Sequence, residues 1–137
     1  MSFPIFSSLR NPCFLALLHI GKARFPNELT GPGSLHEECG VEMLSNAGVP
    51  SSLARFALTH SSWASPTTTI EDLSVSVADK IWRGKRQEDL ERILINRLSL
   101  ALSKPEWEVF ASMNNILLDL AAAAVHRLVW QASFATD

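Results

Sequence analysis

The stretch Leu73-Ser74-Val75-Ser76-Val77-Ala78-Asp79-Lys80-Ile81-Trp82 constrains this chain more than any other. At helical periodicity it is apolar on most of its circumference, and such a helix must be enclosed by other elements. The flanking segments read as helices too. Ser34 with Glu37 three positions on has the form of a capping box, and Leu35, Cys39, Met43 and Leu44 then supply an apolar face that ends at Gly48. Pro50 opens a further helix with Leu53, Phe56, Ala57 and His60 on one side. A charged-faced helix is predicted from Gln87 to Leu102, with Leu90, Ile93, Leu94 and Leu98 inward, and Ser103, Pro105 and Glu106 start a last helix reaching Gln131. Gly21 to Gly33 and Ser61 to Thr68 are loop-like in composition. With no strand alternation, internal repeat or linker, the expectation is all-α: a single bundle of about five to six helices over residues 12–137, behind a loose lead-in at residues 1–11.

Composition narrows the function. A chain of 137 residues with 47% hydrophobic and 19% charged residues can bury a core as one domain. A net charge of −2 argues against binding a nucleic-acid duplex, which needs a basic face to displace counterions. Cys13 and Cys39 form no framework, so they read as free thiols in a reducing cytoplasm. The apolar run Phe14 to Leu18, with Ile20, is too short for a bilayer, which takes about 20 residues. His19 and Lys22 interrupt it, and no cleavage site for a secretory signal follows. A cytoplasmic protein without membrane attachment is therefore expected.

The residues able to carry chemistry are His19, Lys22, His36, Glu37, His60, Asp79 and Lys80. Singly, each has a plain alternative. His19 suits a satisfied core histidine, His36 an exposed first helical turn, and His60 a helix end where a partly charged imidazole meets the dipole. His126, in the Ala-rich last helix, reads as structural. Asp79 is harder to place, because a carboxylate in an apolar helix needs a cation, a metal or several donors. A salt bridge to an arginine would satisfy it. Together the order is more telling: three histidines at successive helix ends, then an aspartate within a helix. Imidazole and carboxylate suit Zn, Mn or Fe and, through the carboxylate, Mg. Such positions can converge in one cleft of a bundle.

The stretches Leu15-Ala16-Leu17-Leu18-His19-Ile20-Gly21-Lys22, His36-Glu37-Glu38, Leu58-Thr59-His60 and Val75-Ser76-Val77-Ala78-Asp79-Lys80 resemble the HD-domain metal-dependent phosphohydrolase superfamily. The likeness runs from Phe14 to Gln131. It implies an all-α bundle that hydrolyses a phosphate ester, often in a nucleotide, by a metal-activated water. It also implies His19, His36, His60 and Asp79 as metal ligands, Lys22 beside the substrate phosphate and Glu37 orienting water. The chain departs from the pattern twice. The family's His-Asp doublet precedes Ile-Gly-Lys, but here His19 runs directly into Ile20; aligned from the left the aspartate is lost, aligned from the right His19 stands in its place. The family's earlier histidine has no counterpart in residues 1–14. The chain thus reads as a member altered or cut short upstream.

Two function classes follow. One is a phosphohydrolase with a divalent ion (Mn, Mg, Fe or Zn) acting on a small phosphorylated substrate or nucleotide. The other is a degenerate HD domain that binds metal, nucleotide or a partner without turnover. A structural helical domain with chance histidines is the third alternative. Without a preceding helix, the apolar Phe14–Ile20 segment should be exposed and support a homodimer.

Overall fold

A computed structural model of the chain describes residues 18–28 and 34–133. The described residues are helices, 3-10 turns and connecting loops, with no strand among them, so the chain is all-α. It divides into two compact units, one up to Ser76 and one from Val77.

The first unit opens with two 3-10 turns, Ile20–Arg24 and Pro26–Glu28, within the segment that reads as loop from Gly21 onward. Helix α1 (Leu35–Asn46) and two single helical turns, α2 (Ser51–Ala54) and α3 (Phe56–Thr59), follow. Pro50 caps α2 as expected, but the chain breaks step at Arg55, and Leu53 is exposed rather than inward. Leu44, Ala54 and Ala57 form a core against which Ile20, Val41 and Val49 pack. The predicted capping box at Ser34 is not made: the Ser34 hydroxyl caps nothing, and the Glu37 carboxylate accepts from the Ser61 hydroxyl. The first amides of α1, from Leu35 and His36, donate to Glu28 instead, at 3.1 and 3.0 Å. An ionised carboxylate is a stronger acceptor than a serine hydroxyl, and it suits the positive end of a helix.

Helix α4 (Ile70–Trp82) leads out of this unit. Its Asp72 is a buried junction, accepting from Arg55, from the Thr59 hydroxyl at 2.9 Å, and from the Thr69 amide and hydroxyl at 3.0 and 2.8 Å. This fastens α3 to the start of α4 across the Ser/Thr-rich loop. Burial acts to raise the Asp72 pKa, but the Thr69 and Thr59 bonds and the Arg55 charge outweigh it and hold the carboxyl below its ordinary range. Replacing Asp72 with Ala should cost about 2–3 kcal/mol. Breaking a fully buried pair costs about 3–5, and the 38% exposure of the Arg55 side chain screens part of that. Because the folded pKa is depressed, the contribution is complete above the unfolded value near 3.8 and is lost as pH falls through the lower folded value. Urea unfolding of both proteins at neutral pH and in steps below pH ~5 checks both statements: the gap between them should close in acid.

In the second unit, α4 ends at Gly84, whose φ of +74° is the left-handed geometry expected of a helix-stopping glycine. The Gly84 and Lys85 amides close that end on Ile81 and Lys80 carbonyls at 2.9 and 3.1 Å. Helices α5 (Glu88–Leu102) and α6 (Glu106–Ala122) bury Leu90, Leu94 and Leu98 from one and Val109, Met113 and Leu117 from the other. Both rows have the four-residue spacing of helical ridges. Arg86 fixes the start of α5 through two bonds to Glu91, at 2.8 and 2.7 Å, and reaches Asn114 of α6 at 3.1 Å. The expected last helix bends at Ala123 into α7 (Ala124–Ala132), and Arg127 donates to the Leu120 carbonyl at the end of α6. Among the described residues no single helix is long and apolar enough to cross a membrane. The apolar N-terminal segment expected to support a dimer lies mostly outside the described residues; Leu18, within them, is buried.

Candidate metal centre

Three small residues explain how the histidines meet. Gly21 lies on the backbone of α1 so closely that a Cβ there would stand 1.9 Å from the His36 carbonyl oxygen and 2.8 Å from the Gly40 nitrogen. Gly40 in turn faces the Ala57 methyl of α3, which a Cβ would meet at 3.3 Å. Each small residue stands a short step from a histidine. His19 is two before Gly21, His36 is one turn before Gly40, and His60 is three after Ala57. His36 and Gly40, four apart, and Ala57 and His60, three apart, share helical faces. The Gly40–Ala57 contact therefore brings those two imidazoles together, while Gly21, lying on α1, holds the turn that carries His19 beside them.

One ligand nitrogen from each of His19, His36 and His60 lies within 4.8 Å of the others. The His19 ring stands edge-on to His60 at 4.8 Å between centroids and 5.7 Å from His36; His36 and His60 are 6.2 Å apart. His36 and His60 are buried and His19 half-buried.

Hydrogen bonds assign the nitrogens. His60 Nδ1 lies 3.1 and 3.0 Å from the carbonyl oxygens of Phe56 and Ala57. Carbonyls only accept, so Nδ1 carries a proton. His36 Nδ1 lies 2.6 Å from Glu28 Oε2, which makes it the donor to a carboxylate. His36 Nε2 is buried and has no hydrogen-bond partner among the described residues. Leaving such an atom unsatisfied costs about 1–3 kcal/mol, a cost that a ligand removes.

These residues fit a metal ion. Ring nitrogens that ligate metals commonly have their partner nitrogen bonded to a carboxylate or a backbone carbonyl, and His36 and His60 show one of each. Tetrahedral bonds of about 2.0–2.1 Å would set the nitrogens about 3.3 Å apart. The widest pair would therefore draw in by up to about 1.5 Å on binding.

The other expected residues are placed as follows. Glu37 is buried, with one oxygen held by Ser61 next to His60. Lys22 sits half-buried on the first 3-10 turn, one residue after Gly21. Asp79 belongs to the second unit, where its carboxylate is buried and faces Arg83 at 3.3 Å and Lys80 at 3.8 Å. That is the arginine pair weighed against metal ligation. His126 is exposed. Glu28 is the participant that the sequence did not disclose. It lies in a Pro/Gly-rich segment with no periodicity, and only the folded chain sets it against α1.

No protein-family model matches the chain, and neither the curated proteins nor the solved structures searched contain a match.

Proposed function

We propose that the chain is a metal-dependent phosphohydrolase of the HD type, with one divalent cation held by His19, His36 and His60. The observation that carries this reading is the cluster of three ligand nitrogens, two of them with the partner nitrogen already bonded. Three protein ligands leave a coordination position open, as catalytic sites require and closed four-ligand sites do not. When bound, such a cation lowers the pKa of a coordinated water and polarises a phosphoryl oxygen. The chain's own residues supply the rest. Lys22 offers a positive charge for a substrate phosphate, and the second oxygen of Glu37 is proposed to orient water.

The donor set bears on which ion is preferred. Three imidazoles alone favour zinc over magnesium or manganese, which prefer oxygen. The missing aspartate between His19 and Ile20 favours a second reading, a domain that binds metal or nucleotide without turnover.

The test is metal-free protein titrated with zinc, manganese and magnesium, followed by a screen of phosphate esters and nucleotides. Zinc should bind at one ion per chain and raise the unfolding free energy by about 2.7 kcal/mol at a hundredfold excess over Kd. Uptake with turnover supports the hydrolase, and uptake without turnover supports the binding domain. Failure to take up any of the three ions would sink the hydrolase and the metal-binding domain alike, and nucleotide binding alone would then have to carry the second reading.

A further inference from the structure

We propose that Glu28 is the positioning residue of this centre: its carboxylate fixes the Nδ1–H tautomer of His36 and aims Nε2 at the point shared with His19 and His60. The proposal rests on reading the three histidines as a metal centre. A helix-capping role accounts for only part of what Glu28 does. Its two bonds to the Leu35 and His36 amides cap α1. The third and shortest, 2.6 Å to His36 Nδ1, serves no backbone group.

Oε2 therefore holds His36 twice, once by its amide and once by its ring. The ring cannot turn about its Cβ–Cγ bond without giving up a charge-assisted bond in a buried place. Glu28 is itself fixed, since its amide donates to the Phe25 carbonyl at 2.9 Å and it is buried. An ionised carboxylate only accepts, so the ring proton stays on Nδ1 and the lone pair on Nε2. A free histidine side chain in water favours the opposite tautomer, which would place a hydrogen where the metal must bind. The buried Nε2 without a hydrogen-bond partner is the result of this arrangement.

The experiment compares wild type, Glu28→Gln and Glu28→Ala by isotope-edited imidazole NMR of the metal-free proteins and by zinc titration. Wild type should show His36 protonated at Nδ1. Gln keeps an accepting oxygen and should preserve that tautomer; Ala should shift it toward Nε2–H. Zinc affinity should fall by about 10–100-fold in Glu28→Ala, the usual effect of losing an outer-shell partner. Glu28→Gln should fall between that and wild type. A residue that only caps α1 would lower thermal stability without moving the tautomer. Wild type protonated at Nε2, or a folded Glu28→Ala that binds zinc as tightly as wild type, overturns the proposal. If Glu28→Ala does not fold, the wild-type and Glu28→Gln spectra decide it. If wild type takes up no zinc, the metal reading fails, and the spectra still report separately whether Glu28 orients His36.

Discussion

Replacing Gly21 with Ala should cost at least about 3 kcal/mol, the upper end of ordinary overpacking, and should abolish metal binding. The reason is that the added methyl would meet backbone and not a side chain. It would lie 1.9 Å from the His36 carbonyl oxygen and 2.8 Å from the Gly40 nitrogen. No rotamer change in α1 can relieve that, so the first 3-10 turn must lift away and take His19 with it. Gly40→Ala is the control. Its methyl would be tight only against the Ala57 Cβ, at 3.3 Å, with the Gly21 nitrogen and Ile20 Cγ2 at ordinary contact distances of 3.7 and 3.9 Å. Helix propensity returns about 1 kcal/mol when alanine replaces glycine. That variant should lie within about 1 kcal/mol of wild type. Urea unfolding and zinc titration of the two variants together give the answer. Equal stability for both would mean that close approach at Gly21 does not hold the histidines together.

The same contrast shows what could be read from the residues. Helices with a sustained apolar row were legible: α4, α5 and α6 lie close to where Leu73 to Trp82, Leu90 to Leu98 and the Pro105 start placed them. Gly84 ends α4 as a glycine of left-handed φ should. The segment before Gly48 was legible only in part. Ser34 and Glu37 have the spacing of a capping box, but spacing cannot show that Glu28 would supply a stronger acceptor from eight residues before His36. The Glu37 amide goes to the Ser34 carbonyl, at 3.0 Å, and the Glu37 carboxylate accepts from Ser61. Local signals fail where residues distant in sequence, here Glu28 and Ser61, supply the partners.

The candidate site divides the same way. His19, His36 and His60 were found because imidazoles at successive helix ends are an uncommon pattern, and the fold does bring them together. What unites them, Gly21 against α1 and Gly40 against Ala57, depends on close approaches between segments that no local pattern reveals. Asp79 stood out through its apolar helix, and its carboxylate faces Lys80 and Arg83, both close to it in sequence. An (i, i+4) arginine was always a candidate partner for it.

Insertion of one aspartate between His19 and Ile20 should change the metal preference of this site, not simply strengthen it. Gly21 fixes the register, since its backbone is clamped on α1 and whatever stands two residues before it faces His36 and His60. In this chain that residue is His19. His19 thus occupies the place that the resemblance gives to the aspartate of the His-Asp doublet. An inserted aspartate would take that place and push His19 back by one residue, a turn of about 100° if the segment there is helical. The set would then change from three nitrogens to two nitrogens and an oxygen, which favours manganese and magnesium relative to zinc. Zinc affinity should drop by at least the ~10–100-fold that lesser, outer-shell losses produce. The repair also has a cost for the fold. Leu18 is buried, and moving it out of register forfeits about 1.5–3 kcal/mol unless another apolar residue replaces it. The measurement is the ratio of zinc to manganese affinity for the two proteins, with thermal unfolding to confirm that both are folded. A lower ratio in the inserted protein places a carboxylate at the position before Ile20. An unchanged ratio in a folded protein would mean that Gly21 does not set the register, and that the segment before it absorbs the extra residue.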